Sequence, residues 1–232
     1  MKLPDLDLQA LFFDLDGTCV NSDHIHFSTY RDILLELAPT FNSGLPITRT
    51  YYDTHMSGRQ NPELVASLLP SVPLPIRTRL WQAKEARYED HITRGVPPIS
   101  GLPDLLSLAR TKHLRTYVVT NAPRGSCHKT MAAIGIAEHF GSHVIVAEDC
   151  AAPKPDPAPY LTALKLAGVR PDQAVVFEDS PSGTCSAVAA GLLTIGVRST
   201  QTDETLRAAG ATLTIGDYRD AVLHKALAKW VS

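Results

Sequence analysis

Acidic, hydroxyl and lysine side chains gather at four places along this chain. They are Phe13-Asp14-Leu15-Asp16-Gly17-Thr18, then Thr120-Asn121, then Lys154 within Ala-Pro-Lys-Pro-Asp, then Glu178-Asp179-Ser180. Together they suit phosphoryl transfer. A phosphate ester needs a nucleophile, a proton donor for the leaving oxygen and positive charge around the moving phosphoryl group. Asp14 can attack phosphorus as a carboxylate. Asp16, two residues on, can reach the leaving-group side, and Gly17 lets the chain turn sharply there. Thr120 and Asn121 can bond phosphoryl oxygens, and Lys154 supplies a point charge. Asp179 with Asp14 can hold a hard cation through oxygen, and magnesium fits that ligand set.

Each piece alone has a plainer reading. A lone D-x-D-G is often a turn or a calcium loop. Thr-Asn at a strand end is usually a turn, and a single lysine is usually solvated. Glu178-Asp179 could simply offset a helix dipole. Order decides between the readings, because all four segments fall at successive predicted strand ends.

The elements that must position them follow from short apolar runs. Leu11 to Asp14, Thr116 to Thr120, His143 to Ala147, Ala174 to Phe177, Leu192 to Val197 and Thr212 to Ile215 are rich in Val and Ile and too short for helices. They read as strands buried on both faces. Helical stretches such as Pro157 to Ala167 and Ser182 to Ala190 lie between them. This alternation predicts an α/β fold, a Rossmann-like doubly wound parallel sheet covered by helices. Ligands in such a sheet sit beyond the carboxyl ends of the strands. Residues 21–96 break the pattern. Tyr30 to Leu37, Pro62 to Leu69 and Arg77 to His91 are helical in period, and no convincing strand appears. Proline clusters at Pro70, Pro73 and Pro75 punctuate this region, and Pro97-Pro98 closes it. The expected division is a catalytic core from 1–20 and 97–232, with an all-helical insert at 21–96.

Bulk composition excludes other classes. The 232 residues are 44% hydrophobic and 20% charged, with a formal net charge of -2. Such a chain can bury a sizeable core, and no positive field invites nucleic acid. No apolar stretch reaches the roughly 18 residues that a membrane span needs. Cys19, Cys127, Cys150 and Cys185 form no C-x-x-C pair, so zinc and redox motifs find no support. Free thiols and the lack of a signal-peptide pattern point to a cytoplasmic protein. A monomer with a small phosphorylated metabolite as its partner is expected.

These segments resemble the haloacid dehalogenase superfamily, phosphatase branch. FDLDGT at 13 to 18, TNAP at 120 to 123, PKPDP at 153 to 157 and FEDSPSG at 177 to 183 look like its four motifs in order. The resemblance implies Asp14 as nucleophile, Asp16 as general acid and base, and Thr120 and Lys154 as further catalytic groups. It also implies magnesium held by Asp14, the Asp16 carbonyl and Asp179, with Glu178 near the metal or its water. Thr18 and Asn121 join the expected substrate contacts. The founding dehalogenases lack the second aspartate, so Asp16 argues for phosphate esters. The position of the insert resembles the helical cap of the beta-phosphoglucomutase and sugar-phosphatase branch. Its residues 56–70 look like the cap segment of sugar-phosphate phosphatases, which places Ser57, Gly58, Arg59 and Asn61 against the substrate. His26 and Lys84 match positions where beta-phosphoglucomutases carry functional residues. A phosphosugar mutase is therefore the second reading, since fold does not fix function. A silent binding module is the third, and the presence of Asp14, Asp16 and Asp179 argues against it.

Overall fold

The computed structural model describes residues 5–231. Six strands run as β1 (Ala10–Phe13), β2 (Arg115–Thr120), β3 (Val144–Val146), β4 (Ala174–Glu178), β5 (Leu193–Val197) and β6 (Leu213–Ile215). They form one sheet in the order β3-β2-β1-β4-β5-β6, with every neighbouring pair parallel. These are the six apolar runs picked out in the sequence, with ends shifted by at most one residue. Strand order reverses at β1, which lies between β2 and β4. The crevice of a doubly wound sheet opens at that reversal. Asp14 follows the last residue of β1 and so stands in it.

Alternation along the strands explains why the runs are apolar throughout. Leu11, Phe13, Val118, Val175, Phe177 and Ile195 belong to one core, shared with α5 (Leu102–Thr111) and α11 (Ala221–Trp230). Ala10, Phe12, Tyr117, Val119 and Val176 belong to the other, shared with α8 (Ala158–Ala167) and α9 (Pro181–Ala189). Phe13 stacks on Phe177 at 5.0 Å, a rigid floor just beneath Asp14 and Glu178. The remaining core helices are α6 (Arg124–Ala133), α7 (Ala137–Phe140) and α10 (Asp203–Ala208).

Between residues 21 and 96 the described elements are all helical. They are α1 (Asp23–Leu37), α2 (Arg49–His55), α3 (Asn61–Leu68) and α4 (Leu74–Ile92), with a 3-10 turn at Phe41–Gly44. They enclose a core of their own, built on Tyr30, Ile33, Leu34, Tyr52, Met56, Leu64 and Leu80. The chain leaves and re-enters the sheet side by side. Val20 pairs antiparallel with Pro98, and the Ile99 N–H donates to the Cys19 carbonyl at 2.9 Å. Pro75 lies in the first turn of α4, where a missing N–H costs nothing, so that proline begins a helix. The α2 sequence, Arg-Thr-Tyr-Tyr-Asp-Thr-His, is rich in residues of modest helix propensity. Its start is fixed by the Thr48 hydroxyl, which accepts the Tyr51 N–H at 3.1 Å, and its packing by the buried Tyr52.

Candidate active site

Lys154 is the centre of the site, and only 5% of it is exposed. Its ammonium donates to Asp14 Oδ1 at 2.8 Å, to Glu178 Oε1 at 2.6 Å and to the Val119 carbonyl at 2.6 Å, which uses all three protons. Asn121 anchors the lysine loop from β2. Its amide nitrogen donates to the Lys154 carbonyl and its oxygen accepts the Lys154 N–H, both at 3.1 Å. Glu178 is fully buried and saturated. Besides Lys154 it accepts the Tyr160 hydroxyl at 2.9 Å, the N–H groups of Asp179 and Ser180, and the Ser180 hydroxyl. Ser180 also caps α9 by accepting the Gly183 N–H at 3.0 Å. Position 183 must be glycine here, because a Cβ would lie 1.8 Å from Glu178 Oε1.

Asp179 is held from two other segments. Thr18 donates to Oδ1 at 3.1 Å and Thr200 to Oδ2 at 2.6 Å. Gly17 adopts φ +83, and a Cβ there would stand 2.0 Å from Asp179 Oδ2. The glycine thus serves both the turn and the close approach of the first and fourth motifs.

The charges do not balance. Carboxylate oxygens of Asp14, Glu178 and Asp179 lie within 4.8 Å of one another, against the single Lys154 ammonium. Burial pushes the Asp14 carboxyl up to about 8, Glu178 and Asp16 add to the rise, and Lys154 opposes it. Burial likewise drives Asp179 well above the usual range, with Asp14 and Glu178 reinforcing it. For Lys154, burial pulls downward, but the two carboxylates outweigh it and hold the ammonium above its ordinary value. An all-oxygen set with excess negative charge fits a hard dication such as magnesium. Asp14 and Asp179, with Glu178 beside them, carry the carboxylate oxygens that would hold it. Glu178 is already engaged by five donors.

Asp16 belongs to a second network shared with the helical region. Its Oδ1 accepts the Ser22 hydroxyl at 2.6 Å and the Tyr88 hydroxyl at 2.7 Å, and lies 3.3 Å from His26 Nε2. Burial alone would raise this carboxyl, yet His26, Ser22 and Tyr88 together hold it well below the carboxylate range. His26 stacks on Tyr88 with ring centroids 4.1 Å apart. Its Nδ1 lies 2.8 Å from Lys84 Nζ. An ammonium only donates, so Nδ1 accepts, and the network assigns the ring proton to Nε2, facing Asp16. Lys84 continues to Glu85 Oε1 at 2.7 Å. Glu85 also accepts Asn61 and the Ser126 hydroxyl, each at 2.6 Å.

One cavity of about 120 Å³ joins the two networks. Asp14, Asp16, Thr120, Asn121, Lys154 and Asp179 line it from the sheet, and His26, Ser57, Gly58, Arg59, Asn61 and Lys84 from the helices. The individual placements differ in kind. Thr120 accepts the Ala122 N–H at 3.0 Å, which steadies the turn after β2. Gly58, at φ +75, brings its loop to 3.5 Å from Ser180, measured from an ideal Cβ. Arg59 turns its guanidinium to Glu63 at 2.7 Å and Ser67 at 3.1 Å. Both ends of the Asn61 amide are taken, by Tyr30 and Glu85. Thr18, expected as a substrate contact, is fully buried behind Asp179 and supports that carboxylate. Sequence reasoning missed Ser22, Tyr88, Glu85, Ser126, Tyr160 and Thr200. Only Thr200 had a usable signal, since it follows β5 at the same edge of the sheet.

The chain belongs to the haloacid dehalogenase-like hydrolases, whose family model matches residues 11–197. It is 27% identical to the validoxylamine A 7'-phosphate phosphatase of Streptomyces hygroscopicus subsp. limoneus, over 88% of this chain and 92% of that one. It is 31% identical to protein CbbY of Rhodobacter capsulatus, over 81% of this chain and 84% of that one. The structure of CbbY from Rhodobacter sphaeroides with xylulose-(1,5)bisphosphate is similar at a TM-score of 0.79 and 26% identity, covering 92% of this chain and 96% of that one. No described helix is long and apolar enough to cross a membrane.

Two predictions follow from the charge imbalance and the packing. Asp14 titrates near its ordinary 3.8 when unfolded and near 8 when folded. Between those values the folded chain binds more protons, so stability falls as pH rises through that window. The melting temperature in chelator should drop from about pH 5 to about pH 8, and magnesium should restore more at the higher pH. A magnesium effect that is equal at both pH values would contradict the assignment. Gly183→Ala should displace Glu178 and, through it, Lys154. Urea unfolding should report a loss of about 1–3 kcal/mol, as overpacking of a filled site commonly gives.

Proposed function

We propose that this chain hydrolyses a small phosphate monoester, a sugar or polyol phosphate, through an aspartyl-phosphate on Asp14. The observation that carries the reading is the pairing of two unlike carboxylates on one cavity. Asp14 is bonded to Lys154 at the point where strand order reverses, and Asp16 is bonded to the helical region. Lys154 holds Asp14 Oδ1, which leaves Oδ2 to attack phosphorus. Magnesium, when bound, supplies the positive charge that screens the phosphoryl oxygens and favours the ionised nucleophile. Asp16 must first take a proton from solvent; it delivers that proton to the departing alkoxide and takes one back from the water that cleaves the aspartyl-phosphate. Ser22, Tyr88 and His26 favour the carboxylate form that this second step requires. Helices α1 to α4 act as a cap that covers the reacting groups and limits bulk water. A small phosphorylated metabolite is the partner, and a cytoplasmic monomer is the expected form.

A phosphosugar mutase is the second reading, favoured by the Lys84–His26 pair beside Asp16. It would pass the same phosphoryl group to a sugar hydroxyl instead of water. The names of the relatives favour hydrolysis, since one is a validoxylamine A 7'-phosphate phosphatase. Release of inorganic phosphate from a panel of phosphorylated metabolites, with magnesium, tests the proposal. Isomerised sugar phosphate without free phosphate would favour the mutase. No turnover of any ester would sink both readings.

Asp14→Asn should abolish turnover and leave the fold intact, because the amide keeps the shape and loses the nucleophile. Asp16→Ala should slow alkyl phosphates about 10²- to 10⁴-fold. The loss should be smaller on p-nitrophenyl phosphate, whose leaving group needs little protonation. Equal losses on both esters would remove Asp16 from its proton-transfer role.

A further inference from the structure

The part of a substrate beyond its phosphate meets mainly the helical wall of the cavity. The cations near that wall are already matched. Lys84 is 2% exposed, and its ammonium is committed to Glu85 at 2.7 Å and His26 at 2.8 Å. Arg59 is tied to Glu63 and Ser67 on its own helix pair. Arg49, behind the wall, serves Asp23 and Asp53. Two carboxylates, Asp23 and Glu85, line the same cavity. Glu85 cannot swing aside cheaply, because Lys84, Asn61 and Ser126 all donate to it.

We infer that the leaving group carries no second anion, and that Glu85 enforces this by neutralising Lys84. The inference rests on the phosphatase reading and deepens it. A second phosphate or a carboxylate would meet no unmatched cation on the helical wall and would face Glu85, which lines the same cavity. A charge buried without a partner is strongly unfavourable. Neutral hydroxyls fare differently. Ser57, Gln60 and Ser182 offer donors and acceptors at the cavity surface, and Tyr52 and Met56 offer apolar faces for the carbon skeleton. Specificity of this kind comes from rejecting the wrong ligand as much as from binding the right one.

The test compares esters that share a skeleton and differ by one anion, all with magnesium. The pairs are fructose 6-phosphate against fructose 1,6-bisphosphate, and glycerol 3-phosphate against 3-phosphoglycerate. In the wild-type protein kcat/KM should favour the neutral member of each pair by about 100-fold or more. Glu85→Gln keeps an acceptor for Asn61 and releases the Lys84 charge. It should move both ratios toward the anionic member by about 10-fold or more. Lys84→Gln bares Glu85 and should move them the opposite way, so the pair is readable even if one variant fails to fold. Equal wild-type turnover within each pair overturns the inference. Folded variants with unchanged ratios overturn the role of Glu85. Absence of hydrolysis of every ester, p-nitrophenyl phosphate included, overturns the phosphatase reading and this inference with it.

Discussion

One buried ammonium surrounded by carboxylates organises this molecule. Lys154 reaches Asp14, Glu178 and the Val119 carbonyl at once; Asp14 follows β1, Glu178 ends β4, and Val119 is the penultimate residue of β2. Three adjacent strands are therefore pinned at their carboxyl ends by a single side chain. An ammonium in such a place is tolerable only when its partners are fixed. That requirement explains the shell around it. Asn121 holds the lysine loop, Tyr160 and the start of α9 hold Glu178, and Gly183 leaves room for that carboxylate. The same triad leaves Asp14 and Asp179 under-compensated. A site that is rigid and short of positive charge suits a hard cation.

Asp16 couples this rigid half to the helical half. Asp14 and Asp16 are two residues apart, yet their surroundings are opposite. Burial and neighbouring carboxylates raise Asp14, whereas donors from Ser22, His26 and Tyr88 lower Asp16. The shifts divide the two carboxylates but run against the proposed roles, since attack needs Asp14 ionised and proton delivery needs Asp16 protonated. Here the division depends on where the helices sit, because Tyr88 and His26 lie on α4 and α1. Any motion of those helices relative to the sheet alters the proton affinity of Asp16 directly. The position of these helices and the proton affinity of Asp16 are thus one variable.

The legible parts of the sequence were those with local, repeated signals. All six strands were visible because each is buried on two faces and so reads as an unbroken apolar run. The polar residues that follow those runs, Asp14, Thr120, Lys154 and Glu178-Asp179, were visible because the sheet turns strand order into spatial convergence. Residues that act through distant partners were invisible. Tyr88 meets Asp16 across 72 positions, and Ser126 meets Glu85 across 41. Neither pair has a spacing rule. Thr18 looked like a ligand contact from its place in the first motif, but the turn at Gly17 directs it toward Asp179. Arg59 looked available from its loop, but Glu63, one helical turn on, captures its guanidinium.

The two halves also differ in what they can discriminate. The sheet side presents Asp14, Lys154 and Asp179, which in the proposed reaction address only the phosphoryl group that every phosphate ester shares. The helical side presents a wall whose charges are already cancelled, with Lys84 matched by Glu85 and the latter fixed to the core helix α6 through Ser126. One carboxylate therefore does two things. It removes the positive charge that a second anion would seek, and it ties α4 to the sheet domain where the cavity closes. Selectivity and closure share a residue, so a substrate that disturbs Glu85 also disturbs the contact that covers it. A ligand with a second anion would be opposed twice, once by the wall it faces and once by the looser cap it leaves above Asp14.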